Sequence, residues 1–394
     1  MENVYETAVK FIEQNKKDDP RVWNHLKIAG SSNEIQNVFW WNNTIRLYDI
    51  PLENKKTMER AGYLLVSESK ELPPIVEYAT EGVSLKEQID QMLQPALSIS
   101  HINATPRKYH FVSSTELYVS LEDVSSKEEV LLNIPNFFIL TKDVREELNR
   151  QPSEVFSTEM VARYWEELNE VRTESLPSKT LNAKPTQYQQ NCSSYTFGEV
   201  CTIDRSSNNS PCHPRKISGC VPVAWAMLLS ALKRTNISGH NKIWRGNTCW
   251  TINWPSHFST SNPSQCNVVE QTIWKLHTLM ETTDNGSTKD SNTIKGKEIL
   301  KDFGLTWKML HKDGENFAFL QKIIDGNEPF LFDGHGKWGD DKAGHGVVVY
   351  GYKQEGNMMK VSLGWGKAFP DKWMNFDQFS SKGFTYRENS KTQA

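Results

Sequence analysis

The sequence predicts an α+β protein of two units in tandem, an α+β unit followed by one in which a central helix packs on an antiparallel sheet. Three observations carry this. Candidate strands follow one another between Val38 and Leu140 with a single helical stretch among them. An apolar helix beginning near Cys220 precedes two β-rich runs, Val347 to Tyr352 and Met358 to Leu363. All six cysteines lie at or beyond Cys192, behind a polar stretch that divides the chain.

A chain of 394 residues exceeds one compact core, so two domains are the natural expectation. With 37% hydrophobic, 11% aromatic and 24% charged residues, the composition is that of an ordinary globular protein. The 13 Trp suit a dense core or a groove that grips peptide side chains. A net charge of -3 and a pI near 6.4, without a Lys/Arg run, argue against a nucleic-acid partner, which would need a phosphate-neutralising stripe. The most apolar stretch, Val221 to Leu232, is far shorter than the roughly 20 residues that cross a bilayer and contains a proline, so no membrane span or membrane partner is expected. Residues 1–10 carry Glu2 and Glu6 where a secretory signal would place cations and an apolar run; either the protein is not exported by that route or the signal is absent from this sequence.

The first unit begins with Val4, Tyr5, Ala8, Val9 and Ile12 at helical spacing. Strands are expected at Val38 to Tyr48, Ala61 to Val66, Ile75 to Tyr78, Tyr109 to Val112 and Val130 to Leu140, with helices at Leu85 to Leu97 and Met160 to Val171. No His/Asp/Ser cluster of catalytic type occurs here. Between Thr173 and Gln190 hydrophobic periodicity disappears into Ser, Pro, Lys, Thr, Asn and Gln. The expected organisation is therefore a domain over residues 1–174, a linker over 175–190 and a second domain over 191–394. An exposed polar connector is where proteases nick chains; an inert tether is the alternative.

The second unit holds Cys192, Cys201, Cys212, Cys220, Cys249 and Cys266. If one is a free nucleophile, an odd number remains and cannot all pair within the chain. Cys201 with Cys212, and Cys249 with Cys266, are reachable disulfides. A metal-ligand reading of Cys212, His213, Cys249, His257 and Cys266 fits no common zinc spacing, and no metal is expected.

Pro222 suits the first turn of a helix and the following run is apolar nearly all round, so Cys220 is placed at the helix's positive N-terminal end. There the unpaired N–H groups and the dipole favour a thiolate, and the Cys220 backbone N–H can face a developing oxyanion. A simple buried cysteine is the alternative. Gly344-His345-Gly346 opens a β-branched strand, and the next run returns antiparallel to end in Gly364-Trp365-Gly366. A turn centred on Glu355-Gly356 sets His345 opposite Gly366 and beside Trp365; a turn at Gly356-Asn357 shifts this by two residues. Trp365 then shields the imidazole, although a merely structural histidine is the alternative.

The segments Gly219-Cys220-Val221-Pro222, Gly344-His345-Gly346-Val347 with Gly351-Tyr352, and Leu363-Gly364-Trp365-Gly366 resemble the streptopain family of papain-like cysteine proteases. Upstream, Ala61 to Ser67 and Pro73 to Tyr78 resemble the inhibitory prodomain of that family. The resemblance implies a papain-like peptidase domain behind an α+β prodomain, secretion, hydrolysis of protein or peptide substrates without a cofactor, and activation by removal of residues up to about the linker. It implies Cys220 and His345 as catalytic residues, with Trp365, Ser362 and Gly364 supporting the pair. Relatives have Asn-Trp where this chain has Ser362-Leu363, so Ser362 is the substitute for orienting the imidazole. The Gln expected shortly before the cysteine is Pro214 here; Gln187, Gln189 and Gln190 lie further upstream, and Gln190 joins the Cys220 backbone as an oxyanion candidate. Two other readings stand beside the protease: an inactive papain-like binding protein, and an acyltransferase or amidase using the same Cys/His pair.

Overall fold

The computed structural model describes residues 2–30, 37–100, 103–134 save 126 and 128, 138–140, 148, 152–170, 175–185 save 183, 219–232, 273–283 save 274, 286–303, 306–336, 344–364 and 369–388. Helix α1 spans Glu2–Asp18, followed by the short α2, Pro20–Trp23. Strands β1 Leu26–Ile28, β2 Val38–Trp40, β3 Arg46–Asn54, β4 Arg60–Ser67 and β5 Ile75–Ala79 lead to α3, Leu85–Ser100. Then come β6 Ala104–Ser113, β7 Glu116–Asp123, β8 Glu129–Asn133, β9 Phe138–Leu140 and α4 Thr158–Asn169. The C-terminal part comprises β10 Ser178–Thr180, α5 Cys220–Leu232, β11 Met309–Asp313, α6 Phe317–Asp325, β12 Phe330–Gly336, β13 Gly344–Lys353, β14 Met358–Ser362, β15 Lys372–Asn375 and β16 Phe379–Arg387. No described helix is long and apolar enough to cross a membrane.

The α+β class is as expected, and local chemistry accounts for the places where elements split. The run from Val38 to Tyr48 is two strands because the Asn42 side-chain carbonyl accepts from the amides of Thr44 at 2.9 Å and Ile45 at 2.8 Å, bending the chain back on itself. The run from Val130 to Leu140 likewise divides into β8 and β9, which pair antiparallel. Strand β7 was not anticipated; its Glu and Asp ends mask a buried middle, Leu117 to Leu121.

The described strands form one curled 16-stranded sheet, ordered β11-β16-β12-β13-β14-β15-β5-β4-β3-β2-β6-β7-β8-β9, with β1 on β3 and β10 on β13. The two sheets expected as separate thus run into one another where β15 meets β5, pairing Trp373 with Tyr78 and Met374 with Glu77. The largest apolar cluster takes Phe39, Leu65, Ile89 and Phe111 from the N-terminal half together with Phe330, Val347, Val349 and Met374 from the C-terminal half. A second cluster surrounds α5 alone, and a third packs α1 and α2 with Met358 and Trp373.

The expected tether is partly structural. Ser178, Lys179 and Thr180 pair with Lys353, Tyr352 and Gly351, and the Gln354 amide donates to the Pro177 carbonyl at 2.9 Å. Polar side chains hid this because a ladder needs only backbone groups and room for them. Residues 186–200 lie outside the described residues, as do Cys192, Cys201, Cys212, Cys249 and Cys266.

Candidate active site

Helix α5 begins at Cys220 and is buried along its length, with Val223, Trp225, Met227, Leu228 and Leu229 inaccessible to solvent. Its near-uniform apolarity is what a helix surrounded on all sides requires. The Trp225 indole N–H donates to the Thr293 carbonyl at 2.8 Å and fixes the helix against the turns that follow residue 290. Gly219 sets the entry to the helix: its φ is +87°, and a Cβ there would stand 2.7 Å from the Gly286 carbonyl oxygen. Only glycine meets both conditions.

Strand β13 passes directly beneath the helix start. A Cβ on Gly346 would lie 3.0 Å from Val221 Cγ2 and 3.1 Å from its Cα, so the absent side chain lets the strand reach the helix N-terminus. The Gly346 amide faces the Cys220 sulfur, as do the amides of Val221 and Cys220 itself, and all three favour a thiolate. Enclosure of the sulfur outweighs them, helped by the negative charge of Asp333 on β12, and the thiol is pushed up to about 11. Cys220 is a free cysteine, and the residue as a whole keeps part of its surface open.

His345, beside Gly346, is 7% exposed. Its Nε2 lies 2.9 Å from the Leu363 carbonyl oxygen. A carbonyl only accepts, so Nε2 carries the proton and the neutral ring keeps its lone pair on Nδ1. Burial pushes the imidazole down to about 4; the Leu363 bond opposes this and the charge of Lys372 adds to it. Among the described residues no hydrogen bond joins thiol and imidazole, and both shifts favour the neutral forms. Strand alternation turns Gly346 and Val348 toward α5 and sets His345 with Val347 and Val349 on the other face of β13, so the thiol and the imidazole are not joined in this arrangement.

The remaining expected residues fall as follows. Ser362 does not orient the imidazole: its hydroxyl is buried 3.8 Å from the Met227 sulfur, and the carbonyl of the next residue takes that place. Strand alternation explains the difference, since Ser362 pairs with Val348, which faces the helix. Gly364 follows β14 with φ +72°. Trp365, Gly366, Gln187, Gln189 and Gln190 lie outside the described residues. The hairpin starts in the register of a turn on Glu355-Gly356, Lys353 pairing with Met358, but a bulge at Tyr350 moves Val348 opposite Ser362, one residue off that register; Gly366 of the expected His345–Gly366 pairing lies outside the described residues.

Comparison of the chain with protein-family models gives no match, and comparison with curated proteins gives none. Sequence reasoning missed the Leu363 carbonyl, which has no side-chain signature, and it missed Asp333 and Lys372. These last two did leave a signal, each being a charge set among the apolar residues of a strand, Phe330-Leu331-Phe332-Asp333 and Lys372-Trp373-Met374.

Proposed function

We propose that this chain is the latent form of a papain-like cysteine endopeptidase, with Cys220 as nucleophile and His345 as acid–base group. The observation that carries the reading is the junction of Val221 and Gly346, which sets a cysteine at a helix N-terminus against the strand whose histidine has its Nε2–H committed to the Leu363 carbonyl. A histidine held in that tautomer presents Nδ1 as base, the role a thiol protease needs. In the reaction the imidazole first turns to the Cys220 side of β13 and takes the thiol proton, and the sulfur attacks the peptide carbonyl. The amides near the sulfur stabilise the oxyanion, and the imidazolium returns the proton to the leaving amine. Water, deprotonated by His345, then releases the acyl group and restores the thiol.

The N-terminal half is the inhibitory segment in this reading, and the un-ionised pair supports a latent state. Cys220→Ala and His345→Ala are expected each to abolish hydrolysis of casein and self-cleavage; undiminished turnover in either disposes of the dyad. A chain starting near Asn191 is expected to exceed the full chain in activity, provided it folds, and equal activity argues against an inhibitory role.

The absence of a thiol–imidazole hydrogen bond also favours the reading of a binding protein without turnover. Iodoacetamide separates the two: a competent Cys220 reacts faster, once the N-terminal half is removed, than an ordinary thiol does.

A further inference from the structure

Residues 177–181 lie along the end of β13 remote from His345. The Gln354 amide donates to the Pro177 carbonyl at 2.9 Å, β10 pairs with residues 351–353, and the Leu181 amide donates to the Tyr350 carbonyl at 2.8 Å. Gly351 gives the segment room: a Cβ there would stand 2.8 Å from the Lys179 carbonyl oxygen and 3.0 Å from Thr180 Oγ1. Leu181 buries its side chain in the largest apolar cluster. Tyr350 is the extra residue of the β13 bulge, where pairing with β14 passes from Val349 with Val361 to Gly351 with Lys360. It is held at both ends. Leu181 takes its carbonyl, and Asp371 accepts from its hydroxyl at 2.6 Å while pairing with Lys184 at 3.4 Å.

We infer that Leu181 and Lys184 are positioning residues for His345: they hold the bulge at Tyr350, and the bulge sets the Leu363 carbonyl against the imidazole. A slip of one residue exchanges the two faces of a strand. With the bulge, Val348 stands opposite Ser362, so the next residue, Leu363, falls with Val347 and Val349 in the apolar cluster on the side of β13 that carries His345. Without it, the register of Lys353 with Met358 carried through would put Leu363 opposite Val348, on the side of α5. The bond of His345 Nε2 to the Leu363 carbonyl at 2.9 Å thus depends on a register that residues outside the hairpin maintain. The consequence for catalysis rests on the reading of His345 as the acid–base group. The imidazole has to leave the Leu363 carbonyl to reach Cys220, and the segment that holds it there lies in the stretch between the two halves. Lys184 also donates to Glu81 of the N-terminal half at 2.6 Å, so docking of that half and the place of the imidazole share one side chain.

The test is NMR of the imidazoles in the full chain, with the His345 signals assigned by their loss in His345→Gln. Leu181→Pro removes the amide that holds the bulge; Leu181→Ala keeps the amide and removes the side chain that anchors it. In the unaltered chain the ring is expected to show one tautomer, protonated at Nε2. Leu181→Pro is expected to lose the Nε2–H signal, and Leu181→Ala and Lys184→Met to shift both ring nitrogens part of the way toward a mixture of tautomers. His110, bonded through Nε2 to Ser120 at 2.8 Å and far from β13 in the sheet order, is expected to keep its signals in each. An unchanged His345 pattern in folded Leu181→Pro overturns the proposal, as does equal change at both histidines. If that variant does not fold, unchanged patterns in Leu181→Ala and Lys184→Met overturn it instead. Failure of the protease reading would show as undiminished turnover in Cys220→Ala, a result on which these signals do not bear.

Discussion

The two faces of the C-terminal sheet are covered in opposite ways. Against α5 the contact is mainly apolar, Val221, Ala224, Trp225 and Leu228 meeting Leu331, Val348 and Met309, with Asp333 and Ser362 at its polar points. Against the N-terminal half, buried charges are threaded through the apolar packing. Lys372 meets Glu77, and Lys353 reaches Asn15 while its ammonium stands 5.5 Å to 5.6 Å from the ring centroids of Trp23, Tyr78 and Trp373. The difference teaches which contact is permanent. Apolar packing of this kind depends little on pH, whereas charges that depend on a partner make a contact whose strength can change.

The comparison breaks most directly at Trp225, inaccessible to solvent and bonded to Thr293. Trp225→Ala is expected to cost about 3–5 kcal/mol by cavity formation, measured by urea unfolding, with little dependence on pH. A cost below about 1 kcal/mol would mean that the helix face is not the stable one. On the charged face, Lys372→Ala strands a buried carboxylate and is expected to cost about 3–5 kcal/mol as well, most of it recovered when Glu77→Gln is added. Additive losses in that double-mutant cycle would show the pair to be uncoupled.

A pH titration of stability sharpens the contrast. His345 and His110 are both buried and both held down to about 4. The unfolded chain protonates them near 6.5 while the folded chain resists, so each contributes stability that is present above about 6.5 and lost as pH falls toward 4. Each loss amounts to about 3 kcal/mol at most. Asp49 acts in the opposite sense, its carboxyl raised to about 7 by burial, so its stabilisation grows as pH falls through that value and partly offsets them. His345→Gln is expected to make the acid limb shallower; an unchanged limb would mean that the imidazole titrates alike in both states.

The smallest effect is expected at Lys353, which burial pulls down to about 8 against the opposing charges of Glu355, Asp18 and Asp19. Lys353→Met leaves the aromatic cage filled and removes a desolvated charge, so stability should move by no more than about 1 kcal/mol in either direction. A large loss would make the cation–π contacts a principal tie between the halves.

Much of this was legible because it is local. The apolar run after Cys220 specified a buried helix, the β-branched run after His345 specified a strand, and Pro222 marked the first turn of the helix. The Leu363 acceptor was hidden because a carbonyl has no residue type and its aim depends on a bulge at Tyr350. The pairing of Ser178 to Thr180 with β13 was hidden because polar side chains do not reveal backbone ladders.

By itself the sequence determined the α+β class and the places of Cys220 and His345 on their elements. Periodicity, caps and residue type act over a few positions, and that is enough to specify each of these. Only the tertiary structure decided that the two sheets join through β15 and β5, that a carbonyl rather than Ser362 holds the imidazole, and that Lys372 is bound by Glu77 and Ser114 of the other half. Those depend on which strands become neighbours, a choice made by burial across the whole chain rather than by any short segment of it.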